Sequence, residues 1–276
     1  AELGRRRADY YDLLKVDPNY RIHFHDGDSV ILSTDLPSML PELERLEPGV
    51  LPHYLRFLAE GGRCYDAALA RFLTRSFDRP WQFFAPAHLP LMFQMHVLQK
   101  HYAFTAGFFR SDKLRRAMTF QTMYLGASPH DALATYTLLQ YAELVRGVYF
   151  PRGGMYAVVQ AFERILQEEG ATLHCGTPVR QIQLAGRRAA GVILEDGRTV
   201  AADAVIACAD LPYVYERLLP YPWAARTAGR LKRRRYTSSA IMFYWGLARR
   251  YERELPVHHN VFLAADYRGS VEQIFR

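Results

Sequence analysis

Two adjacent glycines, Gly153 and Gly154, stand between Arg152 and an apolar-periodic run that starts at Met155. A glycine turn that enters a helix leaves the first backbone N–H groups free at the positive end of the helix dipole, an arrangement that can hold an anion such as a phosphate. A tight loop leading into a helix is the plainer alternative, and the local pattern leaves both open. The dinucleotide fingerprint GxGxxG occurs nowhere in the chain, so the usual pyrophosphate anchor is missing from it. No GxSxG elbow is present for serine-hydrolase chemistry. His23 and His25 share one face of an expected strand beside Asp26, and His258 and His259 are neighbours. A metal site needs three or four convergent ligands, which nothing in these spacings supplies, so no metal is expected.

Two further features could carry binding rather than bond-making. Five of the six residues Arg230–Arg235 are basic, a run that suits phosphates of nucleic acid or lipid, with a solvated helix face as the bland alternative. Readers of single-stranded nucleic acid interleave aromatics with such charges on a sheet. Here the aromatics concentrate elsewhere, so no nucleic-acid partner is expected. They lie in the block Trp81–Phe109, where Phe83, Phe84, Leu89, Leu91, Met92, Phe93 and Leu98 crowd together. Pro80, Pro86 and Pro90 break its start into short pieces. Such a block is either core or an interfacial segment at the mouth of a lipophilic tunnel, and composition leaves the two readings equal.

The elements that must position these residues can be read from periodicity. Tyr20, Ile22 and Phe24 alternate with polar neighbours, Asp26-Gly27 supplies a turn, and Val30 and Leu32 resume the alternation, which predicts a β-hairpin. From Asp35 to about Ser76 the pattern is helical, with Pro37, Pro41, Pro48 and Gly61-Gly62 expected to cut it. Helices are expected at Asp112–Thr119 behind Ser111 and at Pro129–Val145 behind Ser128. Met155, Val158, Val159, Phe162, Ile165 and Leu166 make one amphipathic stripe ended by Gly170. A meander follows, with Thr172–Cys175 and Val179–Leu184, then Ala190–Glu195, a turn at Asp196-Gly197, and Arg198–Ala202. A buried strand at Ala204–Ala207 and a long strand at Ser238–Leu247 complete the reading.

Composition sets the outer bounds. The 276 residues are half hydrophobic and 23% charged, which excludes disorder as the main character. A net charge of +7 favours an anionic partner without naming one. Cys64, Cys175 and Cys208 lack CxxC spacing, so a reducing compartment is the simpler setting. The first ten residues carry Arg5, Arg6, Arg7 and Asp9 in place of an apolar signal core. The least charged stretch, Trp81–Gln99, is interrupted by prolines and polar residues, so a membrane-spanning helix is not expected.

The stretches YRIHFHDGDSV, FQTMYLGASPHDALATYTLLQYAE, GVYFPRGGMYAVVQAF, GATLHCGTPVRQI, LEDGR and ADAVIACADLPYVYERLL together resemble the bacterial and fungal phytoene desaturase family. These are flavin-dependent carotenoid oxidoreductases related to amine oxidases, and GVYFPRGGM is the most specific of the stretches. The resemblance covers nearly the whole chain as an internal portion, so a fragment is expected, with the opening flavin fingerprint and the closing flavin-contact segment outside it. It implies an α/β (α+β) fold: part of an FAD-binding Rossmann-like domain plus a mixed-sheet and helical substrate domain. The implied organisation is a substrate and membrane-facing domain over 1–150, the middle of the FAD-binding domain over 151–215, and a return to the substrate sheet over 216–276.

The resemblance also implies roles for residues. Val179 resembles the valine whose backbone meets the adenine edge of FAD, and Ala207, Cys208 and Ala209 resemble the turn that passes close to the dinucleotide. Arg152, Gly153 and Gly154 fall near the cofactor, and Tyr149 and Phe150 are expected to line the substrate cavity, with core packing as the alternative. Phe83, Phe84 and Leu91 fall in the part expected to touch a membrane surface peripherally, on the cytoplasmic side. The implied reaction removes two hydrogens beside a polyene, passing a hydride equivalent to flavin, with no base singled out. A carotenoid isomerase, a ketolase or a retinol saturase would share these features. A non-enzymatic lipid-surface module would share the charge and the aromatic block only.

Overall fold

A computed structural model describes residues 4–234, 236 and 240–274. The strands are β1 (Leu13–Val16), β2 (Tyr20–His23), β3 (Ser29–Leu32), β4 (Val148–Pro151), β5 (Val179–Ala185), β6 (Arg188–Leu194), β7 (Thr199–Ala201) and β8 (Asn260–Phe262). The α-helices are α1 (Leu36–Leu46), α2 (Leu51–Ala68), α3 (Pro80–Phe83), α4 (Leu89–Gln94), α5 (His101–Thr105), α6 (Asp112–Ala117), α7 (Thr137–Tyr141), α8 (Tyr156–Glu168), α9 (Leu211–Tyr213), α10 (Pro222–Leu231) and α11 (Tyr267–Ile274). The chain divides into two compact units, one of Ala1–Ala157 with Thr237–Arg276 and one of Val158–Tyr236.

The first unit grows from the hairpin. β2 and β3 pair antiparallel, Tyr20 opposite Leu32 and His23 opposite Ser29, around a turn in which Gly27 takes φ +84°. Tyr20, Ile22, Val30 and Leu32 turn their side chains into the core, as the period of two requires, against Met39 and Leu43 of α1 and Phe57 of α2. β8 adds to the other edge of β2 in parallel, so the return to this sheet is made by Asn260–Phe262. The described part of the expected strand at Ser238–Leu247 forms no strand. Ser238 and Ser239 lie outside the described residues, and residues 240–247 pair with no described strand, leaving Tyr244 90% exposed.

Asp35 caps α1 by accepting from the Ser38 amide at 3.3 Å, and Pro37 sits in the first turn. Pro41 stays inside α1, and Gly61-Gly62 do not interrupt α2. A side-chain carbon on Gly61 would lie 2.8 Å from the Thr137 carbonyl and one on Gly62 2.9 Å from the Tyr141 ring. These glycines therefore let α2 and α7 approach closely instead of ending a helix. The expected helix at Pro129–Val145 is also broken. His101 donates its amide to Ala132 and Ala134 donates to Gln99, both at 2.9 Å. This crossing of two chain segments holds Leu133 extended. Ser128 closes only a turn, accepting from the His130 amide. Helix α6 forms behind Ser111, but its start is held by the Glu47 carboxylate, which accepts from the amides of Arg110 and Ser111 at 2.8 and 2.7 Å.

The second unit contains most of α8, the antiparallel meander β5-β6-β7, and α9 and α10. Gly197 makes the expected turn with φ +90°. Gly191 has φ +148°, and a side-chain carbon there would meet the Val200 carbonyl, so the glycine permits the close β6–β7 pairing. Thr172–Cys175 is not a strand and is exposed. The expected buried strand at Ala204–Ala207 is also absent, with Ile206 88% exposed. An extended run becomes a strand only when a neighbour takes its backbone hydrogen bonds, and no described strand runs beside either segment.

Candidate functional site

The aromatic block folds into a chain of short turns because each proline starts one. Pro80 opens α3, Pro86 opens a 3-10 turn, and Pro90 is the second residue of α4. The turns fold back on the C-terminal end of α2 and border an open-sided cavity of about 630 Å³. Phe72, Phe83, Phe84, Met92 and Phe93 form one side, and Leu133, Tyr136 and Leu138 close it from the segment around α7. Phe72 packs on Phe83 at 5.2 Å between ring centroids, and Phe83 on Phe84 at 5.1 Å. The Thr135 hydroxyl at its wall donates to the Met95 carbonyl at 2.6 Å, so it is already engaged. The lining includes no charged side chain. Such a space takes an apolar ligand and offers it no acid or base.

The same block is both core and surface. Met92 and Met95 are buried, and Leu91 packs half-buried toward Cys64 and Met95. Phe83 is half-buried, while Phe84 is 64% and Leu98 78% exposed at the cavity rim. No helix among the described residues is long and apolar enough to cross a membrane.

The expected cofactor residues divide between the units and are described by unit. In the first, Gly153 and Gly154 take φ +86° and +95° in a turn with nothing within 4 Å of where their side chains would be, just ahead of α8. Arg152 is exposed, its backbone amide donating to Asp12 and its guanidinium 3.7 Å from the Asp12 carboxylate. β4 pairs antiparallel with β1, which places Tyr149 opposite Lys15 and Phe150 opposite Leu14. Tyr149 is half exposed, and the Phe150 ring lies 4.7 Å from that of His258. Neither residue is among those lining the apolar cavity. In the second unit, Val179 begins β5, an edge strand of the meander, and faces Leu194. Ala207, Cys208 and Ala209 are exposed in the unpaired segment that precedes α9.

Each of these features, taken within its own unit, has a chemistry compatible with contact to a dinucleotide. An open glycine turn ahead of a helix, a strand edge with free backbone groups and a small-residue segment are surfaces a cofactor backbone can approach. The pyrophosphate fingerprint is not in the sequence.

A buried polar cluster in the first unit escaped the sequence reading. Gln140 donates to the Gln121 side-chain carbonyl at 2.9 Å, and both residues are fully buried. The Asn19 side-chain amide donates to the Glu143 carbonyl at 2.7 Å, and His259 donates through Nδ1 to the Asn19 carbonyl at 3.0 Å. Burial raises the Glu143 carboxyl to about 7, and its Oε2, like the Gln121 side-chain nitrogen, has no hydrogen-bond partner among the described residues. Burial also raises the Tyr124 phenol, to about 12. His258 is held below the usual imidazole range by burial and by His259. The only sequence signal for the cluster is a carboxylate set within the apolar run LLQYAELV. His23 is a packing residue, stacked on Phe262 at 4.5 Å and bonded to Asn260 at 3.0 Å.

The family described as flavin containing amine oxidoreductase matches residues 15–245. A protein of Myxococcus xanthus named zeta-carotene-forming phytoene desaturase is 46% identical over 273 residues, 99% of this chain and 52% of its own. Phytoene desaturases of Phycomyces blakesleeanus and Cercospora nicotianae are 38% and 41% identical, over 99% and 100% of this chain and 47% and 44% of theirs. The chain spans about half the length of the curated relatives it matches.

Proposed function

Because the chain belongs to the family of flavin containing amine oxidoreductases, we propose that it serves the FAD-dependent desaturation of a long carotenoid hydrocarbon. The observation that carries the reading is the cavity of about 630 Å³ with its uncharged, aromatic lining. Its size falls in the range of roughly 300–1,000 Å³ typical of small-molecule sites. A polyene offers no hydrogen-bonding group, so recognition falls to apolar contact and exclusion of water. Phe72, Phe83, Phe84 and Phe93 supply the apolar contact.

FAD, when bound, supplies the acceptor for the hydride equivalent taken from one carbon of a saturated pair. The chain's own residues bind and orient. The Gly153-Gly154 turn and the start of α8 would face a phosphate, the Val179 backbone would meet the adenine edge, and Ala207–Ala209 would admit the dinucleotide at close range. The proton from the second carbon leaves for a group outside the cavity lining, which contains no carboxylate and no histidine. The exposed rim of Leu73, Trp81, Phe84, Phe93 and Leu98, with Arg71, Arg75 and Arg79 nearby, supports peripheral attachment to the cytoplasmic face of a membrane, where such a substrate dissolves.

The test incubates the full-length gene product with FAD and liposomal phytoene and resolves the products by chromatography with absorbance detection. Longer conjugated polyenes, each step lighter by two hydrogens, are the expected result. A product that differs only in double-bond geometry, or that carries new oxygen, would transfer the site to an isomerase or a ketolase. Unchanged phytoene with flavin bound would refute desaturation of this substrate.

A further inference from the structure

We propose that a second pocket, on the outer face of α2 between Arg56 and Arg63, receives the phosphate-bearing headgroup of an anionic membrane lipid. Its volume is about 600 Å³, and it is opened by small residues, Ala59 on α2 and Ala103 and Gly107 opposite, with Phe104 and Phe108 as an aromatic wall. Glu60, the carboxylate at this pocket, is already engaged: Arg63 donates to it, and His96 Nε2 lies 3.3 Å from it. Arg56 has no carboxylate partner among the described residues, and its Nη2 donates to His53 Nδ1 at 2.8 Å. Two guanidinium groups against one carboxylate leave a local positive charge. A guanidinium presents a fork of donors suited to phosphate oxygens. A lone inorganic phosphate would not use an aromatic wall or so large a space, whereas a glycerophosphate headgroup would use both.

The pocket's position says which surface supplies that headgroup. Residues 95–98 include Met95, Val97 and Leu98 of the apolar cavity, and Gln99 belongs to this pocket, so one short segment borders both. His96, in the middle of that segment, has φ +54° and is the only non-glycine with positive φ among the described residues. It is held there by Glu60 and by the Phe104 ring at 4.5 Å. Backbone held in the left-handed region persists where its surroundings fix it, and here it fixes the partition between a polar and an apolar space. Along α2 and the turn that follows it, Arg56 and Arg63 are exposed at the pocket with Leu55 beside them, and Leu69 and Leu73 are exposed toward the apolar cavity with Arg71 between them. At 1.5 Å per residue, Arg63 precedes Leu69 by about 9 Å. That separation is of the order of the headgroup region of one leaflet, roughly 5–7 Å by the difference between total and hydrocarbon thickness.

This inference rests on the membrane-surface reading, and the experiment separates the two. The full-length gene product is sedimented with vesicles of phosphatidylcholine, with and without phosphatidylglycerol, for wild type, Arg56→Gln and Ala59→Leu. Both positions lie at the protein surface, and Ala59→Leu fills the pocket without changing charge. The wild type should gain affinity with phosphatidylglycerol. Each variant should lose about fivefold of that gain, the scale of one charge contact at a bilayer, and keep its binding to phosphatidylcholine. If Ala59→Leu retains the full gain, attraction is general and the pocket assignment is wrong. Abolition of the gain by millimolar inorganic phosphate would assign the pocket to free phosphate and overturn the lipid. Failure of the wild type to bind either vesicle would remove the membrane reading and this site with it.

Discussion

Replacing Glu143 by Gln should remove a pH dependence of stability that the buried carboxyl imposes. The carboxyl titrates near 4.5 when solvated and at about 7 in the fold, because burial disfavours its ionised form. Between those values the folded state binds more protons than the unfolded state, so stability is greatest below the lower value and falls as pH rises through the window. Each pH unit separating the two values is worth about 1.4 kcal/mol, so ionised Glu143 costs about 3 kcal/mol once the pH exceeds both. A glutamine at this position carries no such penalty. It does carry its own constant cost, about 1 kcal/mol, for placing an amide where the carboxyl stood. His101, fully buried and lowered to about 4, acts with the opposite sign below pH 6.5 but is present in both proteins and cancels. The assay is urea unfolding of wild type and Glu143→Gln at a series of pH values from 4 to 9. The stability difference should shift by about 3 kcal/mol in favour of the variant across the window. A difference that stays flat with pH, or shifts the other way, would show that a cation or water compensates the carboxylate and would refute the argument.

Gly61→Ala should destabilise despite the better helix propensity of alanine. The added carbon would sit 2.8 Å from the Thr137 carbonyl, and overpacking of about 1–3 kcal/mol outweighs a propensity gain of about 1 kcal/mol; a raised melting temperature would contradict the close α2–α7 contact. Titrated with FAD, the 276-residue chain should bind weakly or not at all, since it holds no GxGxxG; stoichiometric tight binding would show that the Gly153-Gly154 turn suffices.

What the sequence made legible was local. The hairpin of β2 and β3 and the meander of β5, β6 and β7 follow from a period of two and glycine turns, and both form at the expected residues. Helix α8 forms where its stripe predicts, yet Val159, Phe162 and Leu166 remain exposed on it. Structure decided by distant neighbours was not legible. β1 pairs with β4 across more than a hundred residues, and neither strand carries a turn signal that points to the other. The break at Leu133 depends on a crossing with the segment 99–101, and Gly61-Gly62 carry the local signature of a helix stop that only the packing of α7 against them overrides. At the candidate site, the aromatic block was legible as apolar and proline-cut. Whether it enclosed a space was not, because a lining and a core have the same composition. Gln121 and Gln140 gave no signal, since a buried glutamine pair has no period of its own.

The exposed apolar residues are of two physical kinds, and the difference bears on function. Around the cavity, Phe84 and Phe93 sit on or beside short helices whose backbone groups are bonded, so their exposure belongs to a finished surface. Ile206 and the run from Ile241 to Leu247 are exposed on backbone that no described strand pairs. Runs rich in β-branched and aromatic residues are strand formers, and their backbone donors and acceptors find a stable arrangement only in a ladder. Ala207–Ala209, proposed above to face the dinucleotide, follows directly on the unpaired Ile206 and shares its lack of ladder hydrogen bonds. The cavity depends on no such pairing: its walls come from α2, the proline-started turns and the segment around α7, all in the first unit. Under the proposed function, cofactor affinity and hydrocarbon binding are therefore expected to be separable, the second persisting where the first is weak.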